Sequence, residues 1–501
     1  FNISVVINNT QDFLKKYDND KSVSTEFNGR IIESNKYSAR QLLRMLAEEA
    51  WRTGDPGLIF LDKCNKNNPV VPLGIYIEST NVCVGKDTLI YTPQGLIPIK
   101  ELYKQAKQEG RAVPIYQKGC SIAEGEAYEV EVYTPSEKEI LYVTVGTKRK
   151  QQVWKYQPVK AYVWKSHAKK GLKIKTRGGY EVVVTPTHKI YTPLGMVEAQ
   201  KLQIGDSILL GATIPDVVQT ESHGTVNVPE DIAFLLGWLV GDGLYKNKRC
   251  RLYFGEQDQQ ALERILQILD KYQLKYSLKD KPTEKLLSLW LETQQYLHQF
   301  LGDEMKNQPQ RRIPKKVFQY PLPALAQFLR GLFTADGTVT NRDVRLSSSS
   351  YKLLHDVQQL LLLFGIKGKI YKRPWKSTFT YVTVGGETRY YESGDYYELI
   401  VSGWCKKLFA QYIGFESTSK MEKISLKMPN TIPYQDEIVE ITSVEDEFYD
   451  LTVPNTHRFI GNGIIHSNCG EVPGLSSSDW DIISNCNLFS IDLFKWVYYC
   501  K

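Results

Sequence analysis

Long apolar runs are missing from this chain of 501 residues. None approaches the ~18 residues that a membrane-crossing helix needs. The best candidates, 232–240 and 360–366, reach about half of that. No Cys-x-x-Cys pair is present either. The eight cysteines, at 64, 83, 120, 250, 405, 469, 486 and 500, are scattered, which excludes a zinc ribbon and argues against a disulfide framework. A reducing, cytoplasmic compartment is expected, with any cysteine chemistry nucleophilic or radical. The chain opens on Phe1 without a charged-then-apolar leader, so it reads as a fragment or a processed piece. Compositional bias is absent as well: 42% hydrophobic and 24% charged residues exclude disordered, collagenous and coiled-coil classes. The length predicts about two to five domains.

Charge is present, and it is uneven. Of a net +7, residues 231–420 hold 28 Lys and Arg against 19 Asp and Glu, so the whole positive excess sits in one central block. A polyanion partner is expected there.

Two internal repeats organise the chain. Ile90-Tyr-Thr-Pro-Gln-Gly95 recurs as Ile190-Tyr-Thr-Pro-Leu-Gly195, and Leu102 has its counterpart in Leu202. Each copy predicts a strand, a Thr-Pro-x-Gly turn and a second strand. Inside the basic block, Leu235-Leu-Gly-Trp-Leu-Val-Gly-Asp-Gly243 is echoed by Leu329-Arg-Gly-Leu-Phe-Thr-Ala-Asp-Gly337. Both read as apolar helices ending in Asp-Gly, the glycine suiting a left-handed helix end. Gly237 and Gly331 would let the two helices meet backbone to backbone, bringing Asp242 and Asp336 side by side. Two close carboxylates are costly unless a cation neutralises them, and oxygen-only ligation points to Mg²⁺.

Around these helices, 259–270 and 351–364 carry helical apolar periodicity. Residues 366–376 interleave Lys367, Lys369, Lys372, Arg373 and Lys376 with apolar and aromatic residues at strand period. Such a strand can turn its cations toward the phosphates of double-stranded DNA; a charged edge strand protected from aggregation shows the same pattern, and the neighbouring Asp-Gly helices favour DNA. Polar stretches at 216–230 and 416–435 read as connectors. Strand patterns precede the block (129–133, 140–145, 152–164, 172–175, 181–184) and resume after it (438–444, 448–453, 458–460). A β domain interrupted by a basic α/β domain is expected.

The β region begins with Cys83-Val-Gly-Lys-Asp-Thr-Leu-Ile. It ends with His457-Arg-Phe-Ile-Gly-Asn-Gly-Ile-Ile-His-Ser-Asn468, followed by Cys469, and Thr185-Pro-Thr-His188 lies between. In order and spacing this set resembles an intein, a self-splicing insert of the Hint fold. The central repeat resembles a LAGLIDADG homing endonuclease. The resemblance spans 83–468. It implies a multi-domain chain: a mostly-β, horseshoe-like splicing domain (83–215 and 436–468) interrupted by an α/β endonuclease with two pseudo-symmetric halves (216–435).

The same resemblance implies roles. Moving Val82 from the nitrogen of Cys83 to its sulfur runs against amide resonance, so His188 would protonate the leaving nitrogen and Thr185 would hold the scissile amide. Asp450 would coordinate attack by Cys469, the second nucleophile. Asn468 would cyclise onto its own carbonyl, supported by His457. The splicing step needs no cofactor. Many inteins place His directly before the terminal Asn; here Ser467 stands there and His466 one residue earlier. On a strand His466 and Asn468 share a face, so His466 could take over that role, or His457 could act alone. Asp242 and Asp336 carry the metal and the DNA cleavage; Arg311, before Ile313-Pro314, stands where the family often has a basic residue and is left unassigned. The alternative is an endonuclease that has decayed to a DNA-binding or inert domain.

The flanks, 1–82 and 469–501, resemble ribonucleotide reductase, most like the adenosylcobalamin-dependent class, and would be pieces of its α/β barrel. Joined, they bring Asn81-Val82 to Cys469-Gly-Glu471, with Val82 where that family has Pro. The resemblance assigns the thiyl radical to Cys469, ribose contacts to Asn81 and Glu471, and a redox cysteine to Cys486. A buried helix is predicted at 38–52 from Leu42, Leu43, Leu46 and Ala50.

Overall fold

A computed structural model describes residues 4–7, 10–27, 30–53, 57–60, 83–113, 127–145, 147–166, 168–213, 223–246, 249–281, 284–302, 310–373, 379–382, 388–391, 396–424, 434–453, 456 and 458–467. His457, Asn468, Cys469, Asn81, Glu471, Cys486 and Lys376 lie outside them. Among the described residues no helix is long and apolar enough to cross a membrane.

The interrupted β region forms two sheets. One has nine strands, in the order Ser207–Leu209, Gln435–Glu445, Lys170–Thr176, Glu181–Val184, Val84–Gly85, Phe448–Thr452, Thr147–Lys165, Ala127–Val145 and Ala112–Val113. The other has six: Gly195–Glu198, Lys189–Thr192, Ile464–Ser467, Arg458–Gly461, Leu89–Thr92 and Gly95–Pro98. Strands from after the basic block therefore lie between strands from before it. Their inward faces share one core, including Val84, Ile90, Val182, Ile190, Leu451 and Ile464.

The repeated hairpins occupy opposite ends of the six-stranded sheet, flanking the hairpin of 458–467. Their turns are built alike. Thr92 and Thr192 donate to the carbonyls of Gly95 and Gly195 at 2.8 and 2.7 Å. Both hydroxyls also accept a turn N–H at 3.2 Å. Gly95 and Gly195 sit at φ +119° and +122°, where a Cβ is strained. The duplication read from six matching residues is thus a duplication of hydrogen bonds. Elsewhere the strands differ from the pattern in length. The stretches at 129–133, 140–145 and 152–164 belong to one hairpin of two 19-residue strands, with a single register shift between Trp154 and Tyr156. Pro135 falls in the gap between the first two stretches and Pro158 within the third, and the ladder runs through both, pairing them with Tyr156 and Tyr133.

The basic block folds around the helices Glu230–Asp242 and Leu322–Asp336. Both are apolar on nearly every face, because each is covered by its partner helix and by surrounding elements. A Cβ on Gly237 would lie 1.9 Å from the Phe328 carbonyl oxygen, and one on Gly331 would lie 2.1 Å from that of Phe234. The contact is reciprocal, and only hydrogen fits. Gly237→Val or Gly331→Val is expected to cost about 3 kcal/mol by forcing the helices apart. A thermal midpoint within a degree of the parent's would refute this packing.

Each helix runs into a strand of its own four-stranded sheet. The orders are Gly243–Lys246, Arg249–Phe254, Lys285–Leu289, Tyr276–Asp280 and Gly337–Val339, Asp343–Ser348, Tyr396–Ser402, Gly368–Arg373. The expected left-handed helix ends are not found. Gly243 and Gly337 are extended, at φ −77° and −84°. Glycine is required there for space instead, since a Cβ would meet the Leu239 or Phe333 carbonyl at 2.2 or 2.3 Å.

In the N-terminal flank the strands Ser4–Ile7 and Gly57–Phe60 pair in parallel. The helix Ala39–Thr53 buries Ala39 and Leu43 against Phe13; of the other residues expected inside, Leu42 and Leu46 are only partly buried.

Candidate functional sites

The first site forms where the two ends of the β region converge on residues 185–189. Val84 pairs with Val184 on one side and Tyr449 on the other, so the next rung sets Cys83 between Thr185 and Asp450. The Cys83 amide donates to Thr185 Oγ1 at 2.9 Å, and its carbonyl accepts from the Thr185 N–H, also at 2.9 Å. Thr185 therefore grips both polar groups of the residue after the Val82–Cys83 bond. The tight Thr-Pro-Thr-His turn, closed by the His188 N–H on the Thr185 carbonyl at 3.0 Å, carries His188 back beside this grip. Cys83, Thr185, His188 and Asp450 are all buried.

Burial pushes the Asp450 carboxyl up to about 8, against a 2.7 Å hydrogen bond from the Leu451 N–H that favours the ionised form. Near neutrality Asp450 is thus largely protonated and can donate as well as accept. In an unfolded chain this carboxyl ionises near ~4, so folding holds a proton between about 4 and about 8. The resulting stabilisation is complete below ~4 and is lost as pH rises through about 8. Asp450→Asn cannot ionise and lacks this dependence. In a Cys83→Ala background its thermal midpoint should gain on the parent's between pH 5 and pH 8; a constant gap would contradict the assignment.

The other end enters through the strand Ile464–Ser467. Ser467 pairs with Lys189 and Arg458, and His466 with Ile190 and Phe459. Both roles left open for His466 concern His457 and Asn468, which lie outside the described residues, but its own partners are defined. Its Nδ1 lies 2.9 Å from His188 Nε2, and its Nε2 lies 3.1 Å from the Gly461 carbonyl oxygen. The His466 ring is thus engaged with the residues at the Cys83 end. The spacing in sequence could place it on a face of its strand; it could not show which neighbouring strand held its partner.

The second site lies at the ends of the paired helices. Asp242 reaches solvent and Asp336 is half-buried, yet burial first, and for Asp242 the Asp336 charge next, push their carboxyls up to about 7 and about 6. Arg311 and Lys420 oppose the rise. Arg311 is buried and donates to the carbonyls of Val240, Gly241 and Gly243, clamping the first helix end. Lys420 donates to the Thr334 carbonyl at 2.7 Å near the end of the second. Sequence gives no sign of Lys420, because it lies in the polar stretch 416–435 that reads as a connector; it sits on a short helix, Thr418–Glu422.

Among the described residues no third His, Cys, Asp or Glu joins the two carboxylates in a metal-holding group. Two carboxylates at adjoining helix ends, both pushed up by burial and one of them further by its partner's charge, fit a hard divalent cation that takes its remaining ligands from water and phosphate.

The strand Gly368–Arg373 is an edge strand, one of the two possibilities its pattern allows. Lys367 must be withdrawn from the DNA-facing set: it is nearly buried in an ion pair with Asp436 at 3.2 Å. Burial there is tolerated because the partner is fixed by the Gly178 N–H at 2.7 Å. Arg373 pairs with Glu398 at 2.7 Å. Lys369 is half-buried, and Lys372 is exposed on a cleft of about 680 Å³ that also holds Lys173, Lys175, Arg177, Arg312 and Lys352.

Comparison with known proteins places both helices in recognised domains. The LAGLIDADG-like domain model matches residues 323–414, and the WhiA LAGLIDADG-like domain model matches 232–301. The block thus holds two LAGLIDADG-like halves. The chain is 25% identical over 506 aligned residues to the ribonucleoside-diphosphate reductase NrdEB subunit alpha of Bacillus subtilis strain 168, covering 92% of this chain and 43% of that one. It is 46% identical over 92 residues to the vitamin B12-dependent ribonucleoside-diphosphate reductase of Thermoplasma acidophilum, covering 18% and 12%. The chain spans less than half the length of these curated relatives. Among solved structures it is similar to I-DmoI in complex with DNA and Ca, at 18% identity and TM-score 0.26 over 37% of this chain and 88% of that one. It is also similar to the TvoVMA intein, at 21% identity and TM-score 0.20 over 26% and 70%.

Proposed function

We propose that residues 83–468 excise themselves and join Val82 to Cys469, and that the LAGLIDADG-like halves cut double-stranded DNA at a specific site. The observation that carries the splicing reading is the convergence of both junction ends on 185–189: Cys83 through Thr185, Ser467 through Lys189 and His466 through His188. Splicing requires the two scissile ends in one site, and the approach of both flanking strands to this segment supports that reading. The domain boundaries follow: 1–82 and 469–501 as host, 83–215 with 436–468 as the Hint-like splicing domain, and 216–435 as the endonuclease with its connectors.

In the first step Cys83 Sγ attacks the Val82 carbonyl carbon. The carbon–nitrogen bond breaks, and the thiol's proton ends on the Cys83 amine. Thr185 Oγ1 accepts the Cys83 N–H and so holds the scissile amide, and His188 carries the proton. Cys469 then displaces Cys83 from the thioester, with Asp450 as the adjacent proton donor and acceptor. Asn468 cyclises through its side-chain amide, assisted by His457, and a sulfur-to-nitrogen shift completes the new peptide bond.

For DNA, the basic surface holds the phosphates, and Asp242 and Asp336 would hold the divalent cation. A cation held there would supply Lewis acidity toward a phosphate and its attacking water. Arg311 and Lys420 fix the helix ends from which the carboxylates project. The ligated flanks are read as part of a ribonucleotide reductase, whose adenosylcobalamin would belong to the complete enzyme.

Intact-mass spectrometry of freshly expressed chain tests the splicing half. It should show free 83–468 and a product of 1–82 joined to 469–501. Persistence of only the 57.5 kDa chain under reducing conditions would overturn it.

A further inference from the structure

The hydrogen bonds around His466 point to a role besides the one its position in sequence suggests. A carbonyl oxygen only accepts, so the 3.1 Å contact with the Gly461 oxygen requires a proton on His466 Nε2. Burial drives this imidazole's pKa down to about 4, so the ring is neutral and its Nδ1 carries a lone pair. The atom 2.9 Å from that lone pair, His188 Nε2, must then be the donor. A neutral His188 with its proton on Nε2 has its own lone pair on Nδ1.

The surroundings hold this arrangement. His466 is stacked on Phe459, with ring centroids 5.1 Å apart and planes 17° apart. On another side it lies against the backbone of Gly461, where a Cβ would come within 3.0 Å of its Cδ2 and Nε2. The Gly461 carbonyl is itself fixed, because this residue pairs with Ile90 and with Ile464 in the six-stranded sheet. Sheet, glycine and phenylalanine together leave His466 one orientation.

We propose that His466 is a positioning residue for the first acyl shift: by accepting from His188 Nε2–H it holds His188 in the tautomer whose Nδ1 takes the proton from Cys83 Sγ and returns it to the leaving nitrogen of Cys83. This rests on the splicing reading above and deepens it. The atoms balance within the step: Sγ–C forms, C–N breaks, one proton passes from sulfur to His188 Nδ1 to nitrogen, and His466 is unchanged. The displaced histidine of the terminal strand therefore serves the opposite junction from the one its neighbour Asn468 occupies in sequence.

The test reads the two junctions separately. Thiol-induced cleavage at Cys83 is timed in an Asn468→Ala background, and release at Asn468 in a Cys83→Ala background. His466→Leu should slow the Cys83 step by roughly 10²-fold, the lower range for a positioned acid–base group, while release at Asn468 changes less than about threefold. His466→Asn, whose amide oxygen can stand where Nδ1 stood, should recover most of the lost rate. Gly461→Ala, which displaces the ring without altering it, should reproduce the His466→Leu defect.

A chain doubly substituted Cys83→Ala and Asn468→Ala, ¹⁵N-labelled at histidine, supplies a readout that general loosening would not move. His188 should report the Nε2–H tautomer in this parent and in His466→Asn, and lose it in His466→Leu. If unsubstituted His466 chains show no cleavage at Cys83, the splicing reading itself fails. If they do cleave, then an unchanged Cys83 step with an unchanged His188 tautomer in His466→Leu overturns the positioning role. So does a defect confined to Asn468 release.

Discussion

Cys83→Ala and Asn468→Ala should each abolish ligation of the flanks, yet they should leave different products. Without its sulfur, residue 83 cannot take the acyl group, so the bond from Val82 stays an amide. Asn468 can still cyclise, because its nucleophile and its target carbonyl belong to one residue, and residues 469–501 are released from an unbroken 1–468. In Asn468→Ala the opposite holds. The acyl shift at Cys83 proceeds, and with no exit at 468 the thioester accumulates. Hydroxylamine then cleaves it to free 1–82, whereas the amide of Cys83→Ala resists the same treatment. Thr185 grips the Cys83 amide by contacts that neither substitution removes, so folding should survive both. Gel and mass analysis with and without hydroxylamine separates the outcomes. Identical fragments from the two variants would sink the assignment of nucleophile and self-cleaving amide.

Asp242→Asn or Asp336→Asn should suppress double-strand cleavage by roughly 10³-fold or more, since several kcal/mol of cation-assisted stabilisation are lost and each 1.36 kcal/mol is tenfold. Binding should persist. The charge excess of residues 231–420 rises rather than falls when a carboxylate is removed, and Arg311 keeps its hydrogen bonds to the carbonyls of the first helix end. Gel-shift titration should show affinity equal to the parent's or tighter, falling steeply with salt as counterions are released. Salt-independent binding would argue against a phosphate-tracking surface. Undiminished cleavage by either variant would remove these carboxylates from the chemistry.

Much of this is legible in the residues alone. The Asp-Gly helices can be paired from their sequences, because two apolar stretches with a glycine at the same place have few ways to cover themselves. The duplicated Thr-Pro-x-Gly turns announce matching hairpins, since the threonine and the glycine make the turn by local bonds. Local chemistry and periodicity suffice where the partner of a group lies within a few residues of it.

Tertiary structure decided what depended on distant partners. Lys367 resembles its neighbours along a cationic strand, but Asp436, far along the chain, buries it in an ion pair. Arg311 and Lys420 become helix-end clamps only when folding brings them to carbonyls about 70 and 86 residues away. His466 shows the difference most clearly. Its sequence neighbour Asn468 suggests one role, and a hydrogen bond spanning 278 residues points to another. The residue pattern determines which strand carries the imidazole. The order of the strands beside it, set by how the whole sheet buries its apolar face, chooses the group that the imidazole meets.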